Sequence, residues 1–215
     1  MTELASEQRA VLLPHIHAAR VGSDLILLDL EADDYLCLPR CGSLTIGGEW
    51  VSGPLQDLLI LSAEELVSPR DLGDGRRKPP ALPGAALAPS IPVRPGIGDF
   101  VTFFALWADA VRARPSIQTL ARRFERRSGH RDDLPAIAAR VEMFRQLLPL
   151  APWTGACLFQ SELLLRFLNA GGLDADWVFG VRTWPFLAHC WLQAGDHCVS
   201  QAPETLSIYR PIMVV

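Results

Sequence analysis

The chain has 215 residues, 49% hydrophobic and 20% charged, with a net charge of −4 at pH 7; that mix buries a core, excludes a disordered chain and argues against a protein with a broad basic face for nucleic acid. Five Cys at irregular spacing argue against a disulfide framework and for free thiols in a reducing compartment. No apolar run approaches the roughly 20 residues that cross a bilayer, and the charged start MTELASEQRA lacks a signal-peptide core, so the expected location is the cytoplasm.

Residues 11–39 read as strands. HIHAARVG and DLILLDL flank the turn signal GSD, and DYLCLP follows EADD. The first run alternates, with Ile16, Ala18 and Arg20 on one face and His15, His17 and Ala19 on the other. CGSLTIGGEW reads as a loop with a brief apolar insertion at Leu44 and Ile46. SGPLQDLLILSAEELVS reads as a helix in two pieces, with Ser52 as N-cap and a capping box at Ser62 and Glu65. Pro and Gly then crowd the chain without periodicity, which predicts a domain boundary and a linker over residues 76–98.

Beyond it, DFVTFFALWADAVRAR predicts a helix from the three-to-four spacing of Phe100, Phe103, Phe104, Trp107 and Val111. SIQTLARRFERRSG is a second helix, capped by Ser116 and stopped by Gly129, with Arg122, Arg123, Arg126 and Arg127 as a solvated basic face. LPAIAARVEMFRQLLPL is a third. TGACLFQSELLLRFLNAGG is a fourth, ended by Gly171 and Gly172. ADWVFGVRT, LAHCWLQA, HCVSQ and RPIMVV read as strands, so the fold class is α+β.

Cys157 stands in the first turn of the fourth predicted helix, where partial positive charge and free N–H groups favour a thiolate. The same N–H groups can face an oxyanion. The competing reading is a buried structural Cys. His189 opens a strand 32 residues later, and this order of elements can bring an imidazole to the thiol. Asp196 is the nearest carboxylate, but it lies at a hairpin tip. Seven residues of strand span about 23 Å, so it cannot orient His189. The returning chain meets His189 near residues 200–203, where the Gln201 amide oxygen can accept from the imidazole. His197 and Cys198, past the turn, read as structural or surface residues. Cys37 and Cys41 have no second pair, which argues against zinc.

The run from CLFQSELLLRFLNAGG through VFGVRTWPFLAHCWLQAGD to SIYRPIMVV resembles the lasso-peptide biosynthesis B protein family, transglutaminase-like cysteine proteases that remove the leader from a lasso-peptide precursor. The segment LPHIHAARVGSDLILLDLEADDYLCLP resembles the precursor-recognition module fused to those proteases. The resemblance implies a small winged-helix-like β3α3 recognition domain over residues 1–75 and a transglutaminase-like cysteine protease domain over residues 99–215. It implies Cys157 as nucleophile and His189 as general base. The family's Asp, twelve positions after that His, is replaced here by Gln201. Trp191 is read as packing over the imidazole. The leader is expected to add to the edge strand Tyr35–Leu38, touching Tyr35, Leu36, Cys37 and Leu38, with Leu58 and Leu61 on the facing helix. Implied partners are the precursor leader and an ATP-dependent lasso cyclase, through which any ATP dependence would enter. No firmly bound cofactor, nucleic acid or membrane is expected. Two alternatives stand beside the peptidase: a weak or inactive leader-binding protein that delivers precursor, and an acyltransferase or transglutaminase using the same Cys–His pair.

Overall fold

The structure, a computed structural model, describes residues 8–68, 76–88, 92–113, 115–124 and 133–215. Strands β1 (Gln8–Leu12), β2 (Ile16–Val21), β3 (Asp24–Asp29) and β4 (Asp34–Leu38) are followed by β5 (Thr45–Gly47), β6 (Trp50–Gly53), helix α1 (Leu55–Ala63) and β7 (Val67–Ser68). They form a three-stranded antiparallel sheet, β2-β3-β4, and a second sheet in the order β5-β6-β1-β7. The expected three strands are present. The expected three helices are not: α1 is the one helix among the described residues of this region.

Three local expectations change. The loop read over residues 41–50 contains a hairpin, β5–β6, turning at Gly48 with φ +76°. The Trp50 ring lies where a Cβ on Gly47 would stand, which requires glycine there. The helix is one piece with Pro54 as its N-cap residue, and Ser52 belongs to β6. The Ser62–Glu65 pair sits at the C-terminal end of α1 rather than opening a second helix, because Glu65 adopts φ +56° and sends the chain back into β7.

Strand β3 is buried on both faces. Leu25 and Leu27 pack into a small core with Leu12, Ile16, Val51, Leu58 and Leu61. Ile26 and Leu28 enter the main core with the helices that follow. The unbroken apolar run LILL is what a doubly covered strand requires.

The segment that follows ties the two halves of the chain together. Arg76 donates to the carbonyls of Ile16 and Leu12, and Arg77 pairs with Asp176 at 2.6 Å. Strand β8 (Ala85–Ala86) adds in parallel to a five-stranded sheet. Among the described residues four α-helices follow: α2 (Ile97–Ala113), α3 (Ile117–Phe124), α4 (Leu134–Leu147) and α5 (Cys157–Ala170). The sheet is completed by β9 (Asp176–Arg182), β10 (Leu187–Ala194), β11 (His197–Cys198) and β12 (Arg210–Val214), in the order β12-β9-β10-β11-β8. Phe103, Phe144 and Phe167 from α2, α4 and α5 meet edge to face or tilted, with centroids about 6 Å apart. Buried Glu162 of α5 takes Arg123 of α3 and Arg166 at 3.5 Å each. Arg123 therefore turns inward rather than lying wholly on a solvated face; Arg126, Arg127 and Gly129 lie outside the described residues.

The two parts of the chain meet beside the start of β10. Trp184, in the β9–β10 connection, donates from Nε1 to Asp24 of β3 at 3.1 Å. Phe186 packs on Tyr35 of β4 at 5.5 Å between centroids. The sheet β2-β3-β4 thus braces the end of β10 from which His189 projects.

Candidate active site

Helix α5 begins at Cys157, with Ala156 in the extended conformation before it and no side chain capping it. The turn into it needs Gly155 at φ +66°, and the Phe159 ring occupies the place of a Cβ there. The first-turn N–H groups of α5 are thus left without a capping side chain, beside the sulfur.

Strand β10 lies against α5. Ser161, one turn after Cys157, donates to the Cys190 carbonyl at 3.4 Å, and its Oγ lies 3.8 Å from the Cys190 sulfur. The Cys157 thiol is pulled from its ordinary 9.0 down to about 4, chiefly by a hydrogen bond from the Cys190 side chain and next by one with His189; burial opposes both. His189 is raised in turn, by its bond to Cys157 and, against the cost of burial, by its bond to Gln201. Opposite shifts on a thiol and an imidazole in contact describe a thiolate–imidazolium pair.

His189 Nε2–H donates to Gln201 Oε1 at 2.9 Å, leaving the other ring nitrogen for the thiol. Gln201 arrives there because β10 and β11 turn back at Gly195–Asp196, and Leu192 then holds Val199 and Ser200 beside it. Asp196 instead accepts from the Gly84 N–H at 2.8 Å and secures the linker. Trp191 is fully buried, with its ring stacked near His189 at 6.4 Å and its Nε1 donating to Gln193 at 3.2 Å. It sits in the space that a side chain at Gly180 would need. The Tyr209 ring closes the other approach to His189 at 5.2 Å.

Cys157, His189, Cys190 and Gln201 open on a cavity of about 200 Å³. Its floor is apolar (Val141, Phe144, Leu148, Leu164) and its rim polar (Arg145, Gln160, Ser200, Gln201). Such a cavity is of a size to take one side chain of an extended peptide. Among the described residues no group of three or more His, Cys, Asp or Glu could hold a metal ion.

Strand β4 is the edge of its sheet, as expected for strand addition. Its candidate contacts divide between its faces. Tyr35 and Cys37 point into the main core, where burial and the nearby Cys190 and Cys157 thiols push the Tyr35 phenol up. Leu38 packs on the small core, and Leu36 is 39% exposed. Leu58 and Leu61 do not face an open groove: they form the buried stripe of α1, whose exposed apolar residues are Leu55, Leu59 and Ile60. The nearness of Cys190 and Tyr35 to the Cys157 thiol escaped sequence reasoning. Neither has a spacing signal, because each depends on how separate elements pack.

The lowered Cys157 pKa predicts a thiolate that persists in acid, which is directly measurable. Iodoacetamide should alkylate Cys157 at a nearly constant rate from pH 8 to about pH 5 and lose rate only near pH 4. An unperturbed thiol loses roughly tenfold per unit below its ordinary pKa. A rate that already falls tenfold between pH 8 and 7 would rule out the ion pair.

A profile of the transglutaminase-like superfamily matches residues 101–214, which is 114 of the 215 residues, and the chain belongs to that superfamily. Among curated proteins it is similar to the microcin J25-processing protein McjB of Escherichia coli, with 45% identity over 48 residues. That alignment covers 22% of this chain and 23% of McjB, so it spans about a quarter of the relative's length. No solved structure matches. No described helix is long and apolar enough to cross a membrane.

Proposed function

We propose that the chain is a cysteine peptidase that removes the leader from a lasso-peptide precursor. The observation that carries this is the continuous line from the Cys157 thiolate through His189 to Gln201 at the uncapped start of α5. The name of McjB, a processing protein for microcin J25, agrees with it. In the proposed reaction Cys157 attacks the carbonyl at the leader–core junction. First-turn N–H groups of α5 bind the oxyanion, and His189 gives its proton to the leaving amine. Water, activated by His189, then releases the leader from the thioester. The freed core amine would pass to an ATP-dependent cyclase, and the leader would pair with the free edge of β4.

The test is incubation of the protein with a candidate precursor, read by mass spectrometry. Free leader and free core support the peptidase. Intact precursor that still binds identifies a delivery protein, the alternative that the neutral Gln201 raises. Amine-adducted leader identifies an acyltransferase.

Gln201 is expected to support His189 less strongly than a carboxylate would. Gln201→Ala should slow single-turnover cleavage by roughly tenfold, the size of one hydrogen bond to a charged group. Cleavage at the wild-type rate would mean that another group orients the imidazole.

A further inference from the structure

An amide at the end of a Cys–His line meets a difficulty that a carboxylate does not. A carboxylate offers an acceptor whichever way it turns. An amide offers an oxygen one way and an NH2 group the other. If the NH2 of Gln201 faced His189 Nε2, the ring could meet it only with a lone pair on that nitrogen. Its single proton would then sit on the nitrogen facing the thiol, and the ring could not take the thiol's proton.

The residues after Gln201 remove this ambiguity. Gln201 Nε2 lies 3.2 Å from Thr205 Oγ1, and Thr205 Oγ1 lies 2.7 Å from the Ala202 carbonyl oxygen. The Thr205 backbone N–H also donates to the Ala202 oxygen, at 3.2 Å, so the 3₁₀ turn Pro203–Leu206 holds the side chain in place. A carbonyl oxygen can only accept, so it takes the single hydroxyl hydrogen of Thr205. The hydroxyl oxygen is left as an acceptor, and of the two ends of the amide it can bond only the NH2. The Gln201 oxygen is thereby turned to His189, where it accepts at 2.9 Å.

We propose that Thr205 is a positioning residue that locks the Gln201 amide with its oxygen toward His189, letting a neutral side chain stand in a carboxylate's place. The consequence for catalysis rests on the peptidase reading, but the test needs no substrate. It follows alkylation of Cys157 by iodoacetamide across pH, by intact mass. Thr205→Val keeps the shape and removes the hydroxyl. Its alkylation midpoint should rise by about half a unit to one unit, slowing the acid limb roughly three- to tenfold. Thr205→Ser should return the midpoint to that of wild type. In a Gln201→Glu background both side-chain oxygens accept, so Thr205→Val should move the midpoint far less. Thr205→Ala, which also lacks the hydroxyl, should match Thr205→Val and serves if valine disturbs the turn.

An unchanged midpoint in both Thr205→Val and Thr205→Ala overturns the proposal. So does an equal shift in the wild-type and Gln201→Glu backgrounds, which would mark a packing role only. If the predicted alkylation pattern holds while no precursor is cut, the peptidase reading falls and the positioning role stands.

Discussion

Cys157→Ala should abolish leader release while leaving precursor affinity within about twofold of wild type. The loss should be at least about 10³-fold, because removing a nucleophile from a unit that acts together forfeits most of the acceleration, leaving only what binding and oxyanion donors supply. Affinity should persist because the proposed binding edge, β4, does not contain Cys157. The β4 strand pairs on one side with β3 and has no partner strand on the other among the described residues. Binding by calorimetry and cleavage by mass spectrometry, on the same preparation, separate the two effects. Cleavage by the alanine variant would remove Cys157 from the mechanism. Loss of both binding and cleavage would show that the thiol's surroundings, not β4, hold the precursor.

Trp191→Ala should be the most damaging substitution outside the Cys–His line. The side chain is fully buried, its Nε1 is satisfied by Gln193, and its ring fills the space over Gly180 beneath His189. Truncating such a residue costs about 3–5 kcal/mol in lost transfer energy and residual cavity. For a chain of this size that lowers the melting temperature by roughly 10 °C or more. Because the ring stacks beside His189, cleavage measured well below the melting temperature should fall as well. A thermal melt within about 3 °C of wild type, which is about 1 kcal/mol at this chain length, would refute the anchoring role.

The site was legible to different depths. Cys157 showed itself by its place at a helix start, a local property that survives into the fold as the first residue of α5. Gln201 followed from hairpin arithmetic: with a tight turn at Asp196, the returning strand passes His189 near residue 201. Thr205 was not legible, since its meaning depends on the direction of two hydrogen bonds in a short turn. The resemblance implies leader contacts along the whole of Tyr35–Leu38 without distinguishing the two faces of the strand, and the face of Tyr35 and Cys37 is decided by packing. In the structure that face lies on the main core.

The recognition region shows the same division. Strands β2, β3 and β4 announced themselves by apolar runs between turn signals. The β5–β6 hairpin, with Gly47 and Gly48 between short apolar pairs, carried a turn signal that is weak at that length. The Ser62–Glu65 pair has the form of a helix start, yet the chain reverses there because burying Leu66 and Val67 beside β1 wins over local capping.

What the amino-acid order determined by itself is local: the strands β2 to β4, the helices and strands of the C-terminal half, the tight turn at Asp196, and the thiol that stands at a helix N-terminus. Those follow from backbone propensity and periodicity, which act over a few residues. Tertiary structure alone decided that β3 is covered on both faces, that Cys190 touches Cys157, and that Thr205 turns the Gln201 amide. Each of these joins groups through packing or hydrogen-bond direction, and neither leaves a periodic trace in the chain.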